Sequence, residues 1–220
     1  MDYELPIFPL NTVLFPGMPL SLHIFEERYK AMIHECVENG RPFGVALIRD
    51  GVEALGPLAE PYPVGCTAEI AQVQPLLGGR MNILVVGRER FRILDLQRGA
   101  SYLKGLVQSF PLHIIPGEDP TAFCRALRPW VEEYLMLLSD AGDVDFDLEQ
   151  LPGEPQALAY LAATVLQIPN EQKQALLSVP TASNLLTEMQ SLYRRELPLL
   201  RRLLAEDDTA PEGPGPFSLS

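Results

Sequence analysis

The sequence is short of the residues from which most active sites are built. Its 220 residues include three histidines, three cysteines and three lysines. Cys36, Cys66 and Cys124 are odd in number and widely spaced, with no Cys-x-x-Cys pair. That argues against a zinc site or a disulfide framework and fits a reducing cytoplasm. His23, His34 and His113 make no metal-ligand spacing with one another or with a cysteine, and each reads as solvated or locally hydrogen-bonded. No Gly-x-x-x-x-Gly-Lys-(Ser/Thr) loop is present to cradle phosphates, and no Gly-x-Ser-x-Gly elbow to present a nucleophile. No apolar run approaches the ~20 residues of a membrane span. The start, Met1-Asp2-Tyr3-Glu4, has no apolar export core. The expectation is a cytoplasmic chain that is not an enzyme and needs no cofactor, metal or membrane.

Positive charge is scarce too. Seventeen Lys and Arg face 29 Asp and Glu, a net charge of −12, most of it in the second half. Such a balance repels nucleic-acid phosphates. The hydrophobic fraction of 47% and the charged fraction of 21% are those of an ordinary globular protein.

What the chain does have is proline among large apolar residues. Pro6, Pro9, Pro16 and Pro19 punctuate residues 4–29. Proline cannot donate to a sheet ladder, so these positions belong at strand edges, strand starts or bulges. Two short strands follow, Leu5–Phe8 and Leu20–Phe25, joined at a Phe15-Pro16-Gly17 corner. A helix over Glu26–Asn39 turns Tyr29, Met32, Ile33, Cys36 and Val37 to one side. Further strands are expected at Phe43–Arg49, Val64–Leu76 with a bulge near Ala71, Met81–Val86, Phe91–Leu96 and Tyr102–Phe110. Asp50-Gly51, Gly78-Gly79 and Arg98-Gly99-Ala100 serve as turns. The pattern is that of an all-β barrel or sandwich, with no parallel βαβ units expected.

After Pro111 the period becomes helical. Residues 111–119 read as a linker and 120–204 as a helical lobe, with a kink or break expected at Pro129. Gly142–Gly153 is a loop, Pro155 opens a helix, and Asn170 caps another. Thr181 or Ser183 starts a last long helix that Pro198 should bend or end. Residues 205–220, acidic and rich in Pro and Gly, read as a disordered tail. The fold class is α+β, with a β-rich lobe over 1–110 that contains one helix, followed by an all-helical bundle.

The opening motifs carry a family resemblance. Pro6-Ile7-Phe8-Pro9-Leu10, Leu14-Phe15-Pro16-Gly17 and Leu22-x-Ile24-Phe25-Glu26-x-Arg28-Tyr29 resemble the start of the Lon protease amino-terminal, substrate-binding domain. Gly87-x-x-Arg90-Phe91-x-Ile93 and the segment from Leu166-Gln167 to Leu176-Leu177 extend it, so that the resemblance covers about residues 4–204. It implies a PUA-like barrel followed by helices. It also implies a non-catalytic module that binds unfolded or apolar polypeptide segments in protein quality control, in a stand-alone form without ATPase or peptidase. The Lon serine–lysine dyad region has no counterpart here. Pro198 departs from the continuous helix that joins this region to the ATPase. A separate protease or chaperone partner is compatible with the resemblance, as is self-association.

Three groups of residues are candidates for function. Phe15, Met18 and Leu20, at the proline corner, either plug the end of the barrel or face a lobe junction and bind peptide. Arg88, Arg90 and Arg92 share one face of a strand, which makes an RNA-binding stripe the alternative to a solvated face paired with carboxylates. Asp143, Asp145, Asp147 and Glu154 match calcium-loop spacing, but Leu148 stands where that loop needs Gly, so a solvated acidic loop is expected.

Overall fold

The computed structural model describes residues 2–53, 59–98, 101–142 and 146–207. Seven strands come first, with one helix among them: β1 (Asp2–Leu10), β2 (Pro19–Ile24), α1 (Glu27–Glu38), β3 (Phe43–Asp50), β4 (Glu60–Pro61), β5 (Val64–Pro75), β6 (Met81–Gln97) and β7 (Leu103–Ser109). Four helices follow: α2 (Pro120–Ala141), α3 (Pro155–Val165), α4 (Asn170–Ser178) and α5 (Ala182–Asp207). This is the expected α+β arrangement of a barrel followed by helices.

The sheet runs β1-β7-β6-β5-β3, and β1 also pairs with β3, which closes the ring. That last pairing is parallel, Ile7–Leu10 against Gly44–Leu47. It corrects the expectation of no parallel unit, because the chain crosses from β1 to β3 through β2 and α1. Two strands serve two partners in succession. The first part of β1 pairs with β7 and its last part with β3. This division accommodates the prolines, since Pro6 lies in the β7 register and Pro9 in the β3 register, each needing a partner on one side only. Likewise β6 holds β2 along Met81–Val86 and β7 along Phe91–Gln97. It is one 17-residue strand through Gly87, not two. The register shift between Ile70 and Gln72 puts a bulge at Ala71, as expected.

Other elements differ from expectation in detail. In α1, Tyr29, Met32, Ile33 and Cys36 are buried, but Val37 is exposed. Both α2 and α5 run unbroken through Pro129 and Pro198. Both prolines are exposed, so the lost N–H and the crowded carbonyl lie on the solvent side, while Val131, Tyr134, Tyr193 and Leu197 stay buried on the other. Because α5 reaches Asp207, residues 205–207 are helical; the rest of the tail expected at 205–220 lies outside the described residues. Asn170 is the first residue of α4, and the cap position is Pro169. The segment 111–119 is no free linker. Leu112 is buried, and His113 forms a backbone bridge with Thr181.

The largest apolar cluster spans both halves. Val13, Phe15, Val64 and Phe110 from the barrel side join Leu127, Leu158, Tyr160, Leu177 and Tyr193 from the helices. Polar ties cross the same junction. Gln174 Nε2 donates to the Val64 carbonyl at 3.0 Å, and Asn170 Nδ2 donates to the Asn11 carbonyl.

Candidate functional site

The proline corner is built against one glycine. Met18 N–H donates to the Phe15 carbonyl at 3.0 Å, with Gly17 at φ +82. That is a tight turn with Pro at its second position and Gly at its third. The corner then docks on β6, where Gly17 N–H donates to the Gly87 carbonyl and Gly87 N–H donates to the Met18 carbonyl, at 2.8 and 2.9 Å. A Cβ on Gly87 would sit 2.2 Å from the Phe15 carbonyl oxygen. Only glycine lets the two backbones approach so closely. The prolines therefore do not leave this corner unpaired; it bonds to β6 through residues that are not proline.

This docking fixes the candidate side chains. The ring of Phe15 is 1% exposed and lies 6.5 Å from the ring of Tyr160 on α3. It sits inside the lobe junction. Met18 is half-buried and packs against both the barrel cluster and the junction cluster. Leu20 packs on the barrel cluster alone.

Met18 also lines a cleft of about 530 Å³ between the lobes, with Arg90, Phe110, Ala157, Tyr160 and Leu161 among its walls. A second cavity of about 330 Å³ adjoins it, walled mostly by apolar groups from Leu112, Ile114, Phe123, Ala126 and Leu186. Leu112 and Gln156 line both, so cleft and groove lie side by side and share a wall. The groove escaped the sequence reading. Its one trace is the apolar Leu112, Ile114 and Ile115 inside what reads as a linker.

The three arginines part company. Arg88 is exposed and bonded to Glu69 at 2.7 Å, which holds the Glu69 carboxyl below its usual range. Arg92 is exposed, its guanidinium 4.4 Å from the Phe110 ring centroid. Arg90 is 3% exposed, because the end of α4 covers it. Its Nη1 donates to the carbonyls of Leu177 and Val179, both at 2.7 Å. The guanidinium lies 4.8 Å from the Phe110 ring and 5.8 Å from that of Tyr160. Burial pulls its pKa below the usual arginine value. The expected exposed stripe is thus interrupted at its middle. Strand alternation set the three on one face but could not say that a helix covers the central one.

Of the acidic loop, Asp143 and Asp145 lie outside the described residues. Asp147 and Glu154 accept from backbone N–H groups at the starts of a short 3-10 turn and of α3. Among the described residues no cluster of His, Cys, Asp or Glu could hold a metal ion. Nor is any helix among them long and apolar enough to cross a membrane. His23 bonds Asn82, and His34 bonds the Lys30 carbonyl.

Residues 4–195 match the model of the ATP-dependent protease La (LON) substrate-binding domain. The chain belongs to that family. A Lon protease of Anaeromyxobacter dehalogenans is 26% identical over 200 residues, covering 90% of this chain and 23% of its own. Lon protease 2 of Myxococcus xanthus is 28% identical over 218 residues, covering 95% and 25%. The chain thus spans about a quarter of the length of these relatives. Among solved structures, a Lon N-terminal domain protein from Xanthomonas campestris superposes with a TM-score of 0.64 at 25% identity, over 86% of this chain and 98% of that one. The N-terminal domain of a Mycobacterium avium complex Lon protease shares the fold, with a TM-score of 0.65 at 20% identity over 87% and 98%. In this Lon substrate-binding domain, the cleft, the apolar groove and the proline corner meet where the two lobes join.

Proposed function

We propose that this chain is a non-catalytic, cytoplasmic module of protein quality control. It binds unfolded or partly folded polypeptide in the interlobe cleft and the adjoining groove. One observation carries the reading: a cleft walled by Met18, Tyr160 and Leu161 adjoins an apolar groove across the shared residues Leu112 and Gln156, which sets two apolar sites side by side for an extended segment. Binding clefts commonly form at such junctions. Met18 suits varied clients because its unbranched thioether adapts to differing shapes. Phe15 contributes from beneath, as the buried support of Tyr160, and Leu20 holds the barrel side of the corner. A protease or chaperone acting on the captured segment is a compatible partner.

Burying one client side chain is worth roughly 1.5–3 kcal/mol. Three such contacts give about 5–9 kcal/mol, against an association cost of ~4–15 kcal/mol. The best case nets about 5 kcal/mol, so a single segment should bind at about hundreds of micromolar or weaker. Self-association or several segments in one client would tighten it. The arginines offer less to RNA, with Arg90 buried and Arg88 in an ion pair.

Fluorescence anisotropy with an unfolded, apolar-rich peptide tests this, comparing wild type with Met18→Asp at matched circular dichroism. Weakened binding by the folded variant is expected. Unchanged affinity would remove the corner from the site, and no wild-type binding to any unfolded chain would remove the function. The purified chain is expected neither to hydrolyse ATP nor to cleave casein.

A further inference from the structure

Several arginines at the surface of this protein have acidic partners. Arg88 pairs with Glu69, Arg98 with Glu60, Arg125 with Asp119, and Arg201 with Glu133. The deeply buried Arg90 instead bonds only to backbone carbonyls. Two backbone carbonyls take its Nη1, while its Nε and Nη2 are closed to solvent and have no hydrogen-bond partner. A buried guanidinium with no carboxylate partner and two unbonded donors is poorly compensated.

The two idle nitrogens are a matched pair. Nε and Nη2 lie on one edge of the planar guanidinium, and their N–H groups form the side-on fork that meets both oxygens of a carboxylate. The aromatic rings of Phe110 and Tyr160 stand close to the group, so its charge already lies in a water-poor setting. Arg90 is also a wall of the interlobe cleft. Two carboxylates of the chain share that cleft, and neither is paired with it. Glu154 is engaged by Gln156 N–H and Ala157 N–H at the start of α3, and Glu89 follows Arg88 on the strand without reaching Arg90.

We propose that Arg90 anchors a carboxylate of the bound polypeptide, from an Asp or Glu side chain or from a chain terminus. The inference rests on the polypeptide-binding reading above. The apolar side chains next to that carboxylate occupy the rest of the cleft and the groove beyond Leu112. Because the fork is closed to solvent, binding includes a side-chain shift within the cleft, and Met18 is the adaptable wall. The site then selects segments in which an acid flanks apolar residues, over purely apolar ones.

The experiment uses the full chain and four versions of one apolar-rich peptide. They carry an internal Glu or Gln, each with a free or an amidated carboxyl terminus. Anisotropy is expected to show binding about tenfold weaker when the relevant carboxylate is neutralised, the loss of one charge-assisted hydrogen-bonded contact. Whichever change weakens binding, Glu to Gln or acid to amide, identifies the source. Arg90→Met is expected to bind the acidic and neutral peptides alike. If it fails to fold, the Arg90 Nε–H resonance of the wild type decides, since only a carboxylate-bearing peptide should shift it. Equal binding of all four peptides by the wild type would overturn the carboxylate anchor and leave polypeptide binding standing. A preference for the acidic peptide that survives in folded Arg90→Met, or an Nε–H resonance that no peptide moves, would also overturn it. Failure of every peptide to bind would remove the underlying reading and the anchor together.

Discussion

Replacing Gly87 by alanine isolates the physics of the proline corner. The residue does not adopt the left-handed backbone, so its need for glycine is one of space. An added methyl would meet the Phe15 carbonyl oxygen at 2.2 Å and Leu14 Cγ at 3.1 Å. The carbonyl belongs to the backbone and cannot rotate aside alone. Relief requires moving the corner off β6, which breaks the Gly17–Gly87 and Gly87–Met18 hydrogen bonds. Those two bonds are worth about 1–3 kcal/mol together, and residual overpacking adds about 1–3 kcal/mol. A loss of roughly 2–6 kcal/mol is expected, against the ~5–15 kcal/mol total of a natural domain, so the variant folds across most of that range. In urea, with a slope of about 3 kcal/mol/M, the midpoint should fall by about 0.7–2 M. Gly78→Ala is the comparison. It has open space around it but a φ of +74, so its cost is the backbone term alone, about 1–2 kcal/mol. A Gly87→Ala midpoint no lower than that of Gly78→Ala would refute the close-approach argument. Because the displaced corner carries Met18, peptide affinity should drop in the same variant.

Tyr193 is fully buried, its hydroxyl donating to the Ala162 carbonyl at 2.9 Å, so Tyr193→Phe should cost about 1–3 kcal/mol in denaturant titration. Glu154→Ala should cost about 0.5–2 kcal/mol and fray the start of α3, seen as faster amide exchange at Gln156 and Ala157, because it removes both cap bonds. Burial raises the Cys66 thiol to about 12 and the Cys36 thiol to about 11. Unfolded thiols ionise near the ordinary thiol value of 9.0, so above it the unfolded state binds fewer protons, and stability should fall as pH rises through 9–12. Below that window Cys124, the least buried thiol, should react first with an aromatic disulfide reagent, with the other two following at the rate of unfolding.

Local signals were legible in the sequence where their causes are local. Pro155 opens α3 because a first-turn residue has no use for its N–H, and Thr181 caps α5 through a hydroxyl that accepts from Asn184 N–H. The bulge at Ala71 follows from a break in the alternation of faces. Helix continuity through Pro129 and Pro198 was not legible, because apolar burial along α2 and α5 outweighs a local penalty that acts on the solvent side. The site was half legible. The motif around Phe15 and Met18 marks the corner, and the arginine alternation marks the face. What buries Arg90 comes from Leu177 and Val179, almost ninety residues on. Nothing near Arg90 in the chain encodes that cover.

The ring closure of the barrel bears on how the chain folds during synthesis. Asp2–Ile7 pair with Leu103–Gln108, and no strand formed earlier offers them that register. The start of β1 must stay open until about a hundred further residues have been added, roughly 5–20 s at ordinary translation rates. During that interval Ile7–Leu10 can join β3, while an edge containing Leu5 and Pro6 waits uncovered. Pro6 lacks the N–H that an intruding strand would use, so it guards that edge against pairing with other nascent chains. Late, sequence-distant closure of this kind slows folding more than it alters final stability.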